Sequence, residues 1–132
     1  MLAWNEQMAT GSPLVDTQHR MLIDKINALE QMLHGAPPSK TACDGLLDFL
    51  GTYVVTHFKF EEQCMARYQC PVHEKNKEAH AAFMDLFGKF KTRYQAEGPK
   101  PELLQSLHSA ASNWIRNHIL TVDIQLKACI KD

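Results

Sequence analysis

The chain lacks most of the features that would assign it quickly. Its 132 residues contain no apolar stretch approaching the roughly 18 residues that a membrane helix needs. Basic runs are missing, and the formal net charge is only −1, which removes broad attraction to nucleic acid or to an anionic membrane. The opening MLAWNEQMATGSP has no positive region followed by an apolar core, so no secretory signal is expected there. Cysteine is sparse, and Cys43, Cys64, Cys70 and Cys129 show no CxxC spacing. Thiolate metal clusters usually show tight pairs, so these four are expected to be reduced, inert thiols of a cytoplasmic protein. There is no Gly-rich phosphate loop. Nor does any serine or cysteine stand beside a histidine with an orienting acid in a recognisable motif, so no catalytic residue is assigned. No segment alternates like a strand over a useful length.

What is present is an ordinary globular composition, 45% apolar and 22% charged, with seven histidines and no tag-like run among them. Breakers divide the chain at Gly11-Ser12-Pro13, Gly35-Ala36-Pro37-Pro38, Cys70-Pro71 and Gly98-Pro99-Lys100-Pro101. Between them lie four segments with helical period. Helices are expected roughly over 16–34, 40–68, 72–96 and 101–129, behind an N-terminal arm at 1–13, in a single domain covering 1–132. Asp16 suits the first N-cap, and Pro71 and Pro101 suit the starts of the last two helices. Four helices joined by short loops predict an all-α, antiparallel up-down-up-down four-helix bundle.

The apolar stripes carry polar members. The first reads Val15, His19, Leu22, Ile26, Leu29, Leu33. The second reads Leu46, Leu50, Tyr53 and Val54, His57, Glu61, Met65. The third reads Asn76, His80, Phe83, Phe87, Phe90, Tyr94. The fourth reads Leu104, Leu107, Ala111, Trp114, His118, Val122 or Asp123, Leu126. One histidine on an apolar face is usually a satisfied core residue. Four histidines and two carboxylates spread over all four stripes are not, because each unpaired buried charge costs several kcal/mol.

Antiparallel topology also places them together. His19 is early in its helix, His57 and Glu61 late, Asn76 and His80 early, His118 and Asp123 late. All therefore fall at one end of the bundle. Imidazoles with carboxylates and no thiolate suit iron, zinc or manganese rather than a structural zinc site. Six ligands are too many for one tetrahedral zinc and a natural supply for two octahedral irons. Asp123 follows His118 by five residues, a turn of about 140° on an ideal helix, so the two reach one site either from different sides or through a local π-type widening of the helix.

These residues resemble the bacterial hemerythrins (bacteriohemerythrins) over nearly the whole chain. WNEQMATGSPLVDTQH is similar to the family's start, ending in D-x-x-H. YVVTHFKFEEQCM resembles its H-F-x-x-E-E stretch. YQCP with NKEAHAAF resembles Y-x-x-P and H-x-x-x-H-x-x-F, and WIRNHILTVD resembles W-x-x-x-H-I-x-x-x-D. The resemblance implies a non-haem di-iron centre that binds O2 reversibly, with an oxo or hydroxo bridge. It implies His19 and His57 on the iron that binds O2, His80 and His118 on the other, and Glu61 and Asp123 as bridges.

One family ligand is replaced: Asn76 stands where the first histidine of H-x-x-x-H would be, as a weak or water-mediated ligand at most. His73 lies one turn earlier and could substitute only by distorting the helix. His34 and His108 are read as solvent-facing or loop histidines. Phe58, Trp114, Ile115 and Ile119, with Met65, are expected to keep water from the O2 side.

The implied role is an oxygen carrier or store, or the sensory domain of a signalling protein, and a monomer as an isolated domain. The chain stops about where single-domain members of that family stop, and would equally suit a domain of a longer protein. A di-iron redox enzyme of the peroxidase or oxidase kind is the alternative, with an open position at Asn76 that would admit peroxide, nitric oxide or azide.

Overall fold

A computed structural model describes residues 2–34 and 39–129. Four long helices dominate it: α1 Pro13–Leu33, α2 Lys40–Arg67, α3 His73–Glu97 and α4 Pro101–Thr121. A 3-10 turn at Glu6–Met8 precedes them. A second, Asp123–Gln125, leads into the short α5, Leu126–Cys129. Helix α1 packs on α2 and α4, and α3 packs on the same two, as in the expected all-α four-helix bundle. No described helix is long and apolar enough to cross a membrane.

Local chemistry sets the boundaries. Ser12, not Asp16, caps α1: its side chain accepts from the Val15 amide and Pro13 occupies the first turn, where no donor is needed. The helix therefore begins three residues earlier than the expected start at Asp16. Asp16 instead accepts from both the amide and the hydroxyl of Thr10, at 2.9 Å each, and ties the arm to α1. Ser39 caps α2 through the Ala42 amide. Gly98, at φ 80°, ends α3 in a conformation that disfavours a side chain. The expected loop at Gly35–Pro38 lies outside the described residues.

The third stripe is buried as expected, all six members from Asn76 to Tyr94. On α2 the buried series begins Cys43, Leu47, Leu50, so Leu46 is displaced to the half-buried rim. The fourth helix stops at Thr121 rather than running to 129. The π-type widening does not occur: the Val122 amide still reaches the His118 carbonyl at 2.8 Å, and the chain then tightens into the 3-10 turn at Asp123.

The cysteines correct another expectation. Cys43 and Cys64 are free, but Cys70 and Cys129 form a disulfide. With α4 ended early, α5 folds back beside the α2–α3 turn and brings the two Cα atoms to 5.4 Å. Around the bridge Val15, Met65, Cys70 and Leu126 form a small buried cluster, separate from the main core.

Candidate metal centre

Each polar core residue is delivered by a different part of this frame. His19 is in the second turn of α1, and His57 and Glu61 stand one turn apart late in α2. Asn76 and His80 stand one turn apart early in α3. His118 is in the last turn of α4, and Asp123 arrives from the 3-10 turn beyond it. The six expected residues and Asn76 meet at one end of the bundle, and none is more than 6% exposed.

The carboxylates divide between two histidine pairs. Glu61 Oε2 lies 3.1 Å from His19 Nε2 and 3.3 Å from His57 Nε2, while its Oε1 lies 3.1 Å from His80 Nε2. Asp123 Oδ2 lies 3.1 Å from His19 Nε2 and its Oδ1 3.1 Å from His118 Nε2. Two groups result: His19, His57, Glu61 and Asp123, then His80, His118, Glu61 and Asp123. Each carboxylate gives one oxygen to each.

These spacings also suit metal ions. An octahedral ion with bonds of about 2.1 Å places neighbouring donors about 3.0 Å apart. His80 Nε2 and Asp123 Oδ1 are buried without a hydrogen-bond partner, although each has a polar neighbour at 3.1 Å. Buried polar atoms left without a hydrogen-bond partner beside such neighbours are the donors a metal ion would engage.

Asn76 completes the second group differently. A carboxylate only accepts, so Asn76 turns Nδ2 to Glu61 Oε1, at 3.0 Å, and Oδ1 to His118 Nε2, at 2.7 Å. The amide oxygen thus faces the atom by which His118 would bind. His73 is a quarter exposed on the neighbouring turn, 3.6 Å from Glu74, and takes no part. His34 is exposed at the end of α1. His108 is not solvent-facing: it is half-buried on α4, near Glu30 of α1 and Ser112.

The carboxylates and imidazoles of the centre set one another's charge. Burial alone would lower His19, but Asp123 and Glu61 outweigh it and push it up to about 9. Burial would raise Glu61, but its histidine partners hold it well below the usual carboxylate range. His57 is lowered by burial, and His80 is raised because Glu61 and Glu62 outweigh its burial.

The family model of the hemerythrin HHE cation-binding domain matches residues 10–129. The chain belongs to the hemerythrin family. A bacteriohemerythrin of Stenotrophomonas maltophilia (strain R551-3) is 29% identical over 121 residues, 90% of this chain and 74% of that one. A hemerythrin-like protein of Naegleria gruberi is 31% identical over 128 residues, covering 96% and 92% of the two chains. A bacteriohemerythrin of Methylococcus capsulatus (strain Bath) is 25% identical over 98% of this chain and 97% of its own.

Seen as a hemerythrin-family centre, the cluster has partners that the sequence did not advertise. Gln18 Oε1 lies 2.6 Å from His57 Nδ1, and Glu62 Oε2 lies 2.9 Å from His80 Nδ1. Their only signal is adjacency: Gln18 precedes His19, and Glu62 follows Glu61. Phe58 lies flat on His80, ring centroids 3.8 Å apart, and Trp114 on His118 at 4.5 Å, so both rings cover the pair opposite the His19 and His57 side that they were expected to guard. Ile115 and Ile119 are buried beside them, whereas Met65 belongs to the disulfide cluster.

Proposed function

We propose that this chain, as a monomeric hemerythrin-like domain, binds O2 at two iron ions held by His19, His57, Glu61, His80, His118 and Asp123. The observation that carries the reading is the splitting of Glu61 and Asp123, one oxygen of each toward each histidine pair. Four imidazoles and two shared carboxylates without thiolate suit octahedral iron over structural zinc. The names of the bacteriohemerythrin relatives support the same choice. The irons would supply the electrons for reversible O2 binding, with a solvent-derived oxo or hydroxo bridge between them.

The chain's residues provide position and dryness. Phe58 and Trp114 shield His80 and His118, and Ile115 and Ile119 close the same side to water. One turn deeper lies an apolar-walled cavity. Leu22, Val54, Phe83 and Ile115, among its lining, each stand three residues from one of the four histidines. An apolar cavity suits an uncharged diatomic better than water. Carrier, store or sensory domain are all compatible uses of such a site.

A second reading, a di-iron redox enzyme, is favoured by Asn76 alone. A neutral amide binds more weakly than an imidazole, and a weakly held position is open to peroxide, nitric oxide or azide. The deciding experiment measures iron per chain, then reduces the protein and admits air while visible spectra are recorded. Two irons and a reversible oxygenated spectrum support O2 binding. Irreversible oxidation with turnover of peroxide and a reductant supports the enzyme. Zinc alone, or no metal after iron-replete growth, sinks both. In Asn76→His, iron retention should strengthen and autoxidation slow; if neither changes, the amide is not a ligand.

A further inference from the structure

Two of the histidines facing the centre are gripped from behind, and the grips differ. His57 is held by the neutral amide of Gln18, whose head group offers an acceptor at one end and a donor at the other. His80 is held by the carboxylate of Glu62, which only accepts. His80 therefore carries an N–H at Nδ1, and its neutral form leaves the lone pair at Nε2, the buried atom 3.1 Å from Glu61 Oε1. Phe58, nearly parallel to the ring at 7°, restricts its rotation. The grip crosses from α2 to α3, and the Glu62 side chain is 26% exposed. It opens into a surface groove shared with Lys59, His73 and Lys77. The charge thus stays partly solvated, while the imidazole it holds is buried.

This charged grip belongs to the group where an amide, Asn76, stands beside the two histidines. We propose that Glu62 is a positioning residue of that second subsite. Its bond to His80 Nδ1 fixes the tautomer and direction of the imidazole, and its charge compensates the subsite for the amide at Asn76. The inference rests on the two-ion reading given above. A carboxylate behind a metal-binding histidine orients the ring and strengthens it as a donor, and its loss typically costs about 10–100-fold in metal affinity.

The test loads ferrous iron anaerobically into the wild-type chain, Glu62→Gln and Glu62→Ala, each also with Asn76→His. Ions per chain and the release of each ion to a chelator are measured. Glu62→Ala should weaken the second ion about 10–100-fold and leave the first unchanged. Glu62→Gln keeps an acceptor without the charge and should recover part of that loss. With Asn76→His present, both losses should shrink, because a third imidazole then takes over from the amide.

A second ion indifferent to Glu62 overturns the inference. So does equal weakening of both ions with a lower unfolding midpoint of the metal-free chain, which would make Glu62 a brace between helices. A loss that is the same in the Asn76→His background overturns the compensation. A wild-type chain that never takes a second ion sinks the two-ion reading itself, a result distinct from the others.

Discussion

At one end of the bundle Leu29, Leu47, Phe90, Leu103 and Leu104 pack together, and the polar atom beneath them, the Tyr94 hydroxyl, reaches out to Asp44. At the other end the same four helices bury four histidines, two carboxylates and an amide. The first end is stabilised by removing apolar surface from water. The second spends stability on desolvated charge, and further ties gather around it: the Thr10–Asp16 bonds, the Cys70–Cys129 bridge and the carboxylate behind His80. A fold selected only for stability would not need the second end. The contrast locates function more directly than either end does by itself.

The largest expected effect separates the ends completely. Glu61 offers an oxygen to each histidine pair, so Glu61→Ala should abolish loading of both ions while leaving the helical circular dichroism intact. Leu104→Ala at the other end should leave ions per chain unchanged and cost about 3 kcal/mol in urea unfolding. Loss of metal from both variants would mean that the ends are not separable.

Next in size is the disulfide, which spans 59 positions of sequence. Closing a loop of that length is worth about 4 kcal/mol in the chain-entropy account. Cys129→Ser should lose up to that amount. It should also loosen the segment that carries Asp123, so iron release to a chelator should quicken. A stability loss without faster release would show that the bridge clamps the chain end and not the centre.

The pH response should differ between the metal-free and metal-loaded protein. In the metal-free chain His19 rises from 6.5 to about 9, so its contribution is fully present below pH 6.5 and fades as pH climbs through 9. At 1.36 kcal/mol per unit this is about 3 kcal/mol. Glu61 works in the opposite sense: its depressed value stabilises above its ordinary 4.5 and is lost in acid. Metal-free stability should therefore decline from pH 7 to 10. The loaded protein, with no proton at His19 Nε2, should lack that decline. Urea titrations at several pH values, with and without chelator, decide it, and a flat metal-free curve refutes it.

The polar end was more legible in the sequence than the details that hold it. Period and topology together place His19, His57, Glu61, His80 and His118 at one end, because helical spacing is a local property and antiparallel packing follows from short loops. The α3 stripe was legible in full, since its aromatics recur without competition. Leu46 and Leu47 were not separable, because adjacent leucines satisfy the same stripe to within one position. Asp123 was placed at that end by topology while its backbone was not: a helix widening and a helix ending both bring a residue five positions on toward the same site. The disulfide was invisible because it depends on where α5 lands after that ending. Gln18 and Glu62 point across helix boundaries, where periodicity carries no information.

The smallest expected effect belongs to the apolar end. The Tyr94 hydroxyl donates to Asp44 Oδ1 at 2.7 Å, and burial together with that carboxylate pushes the phenol above its ordinary range. Hydrogen bonds to charged groups are worth about 1.5–3 kcal/mol when both partners are desolvated. Asp44 is not desolvated: its side chain is 39% exposed and also meets Lys40 at 2.7 Å. In Tyr94→Phe the ring stays packed and Asp44 turns to water and Lys40, so the cost should be only about 1 kcal/mol. Ions per chain and their release rates should not move. A larger loss, or any change in metal retention, would mean that this hydroxyl sets the register of α3 on α2 along its length, since the same helix carries Asn76 and His80 at its other end.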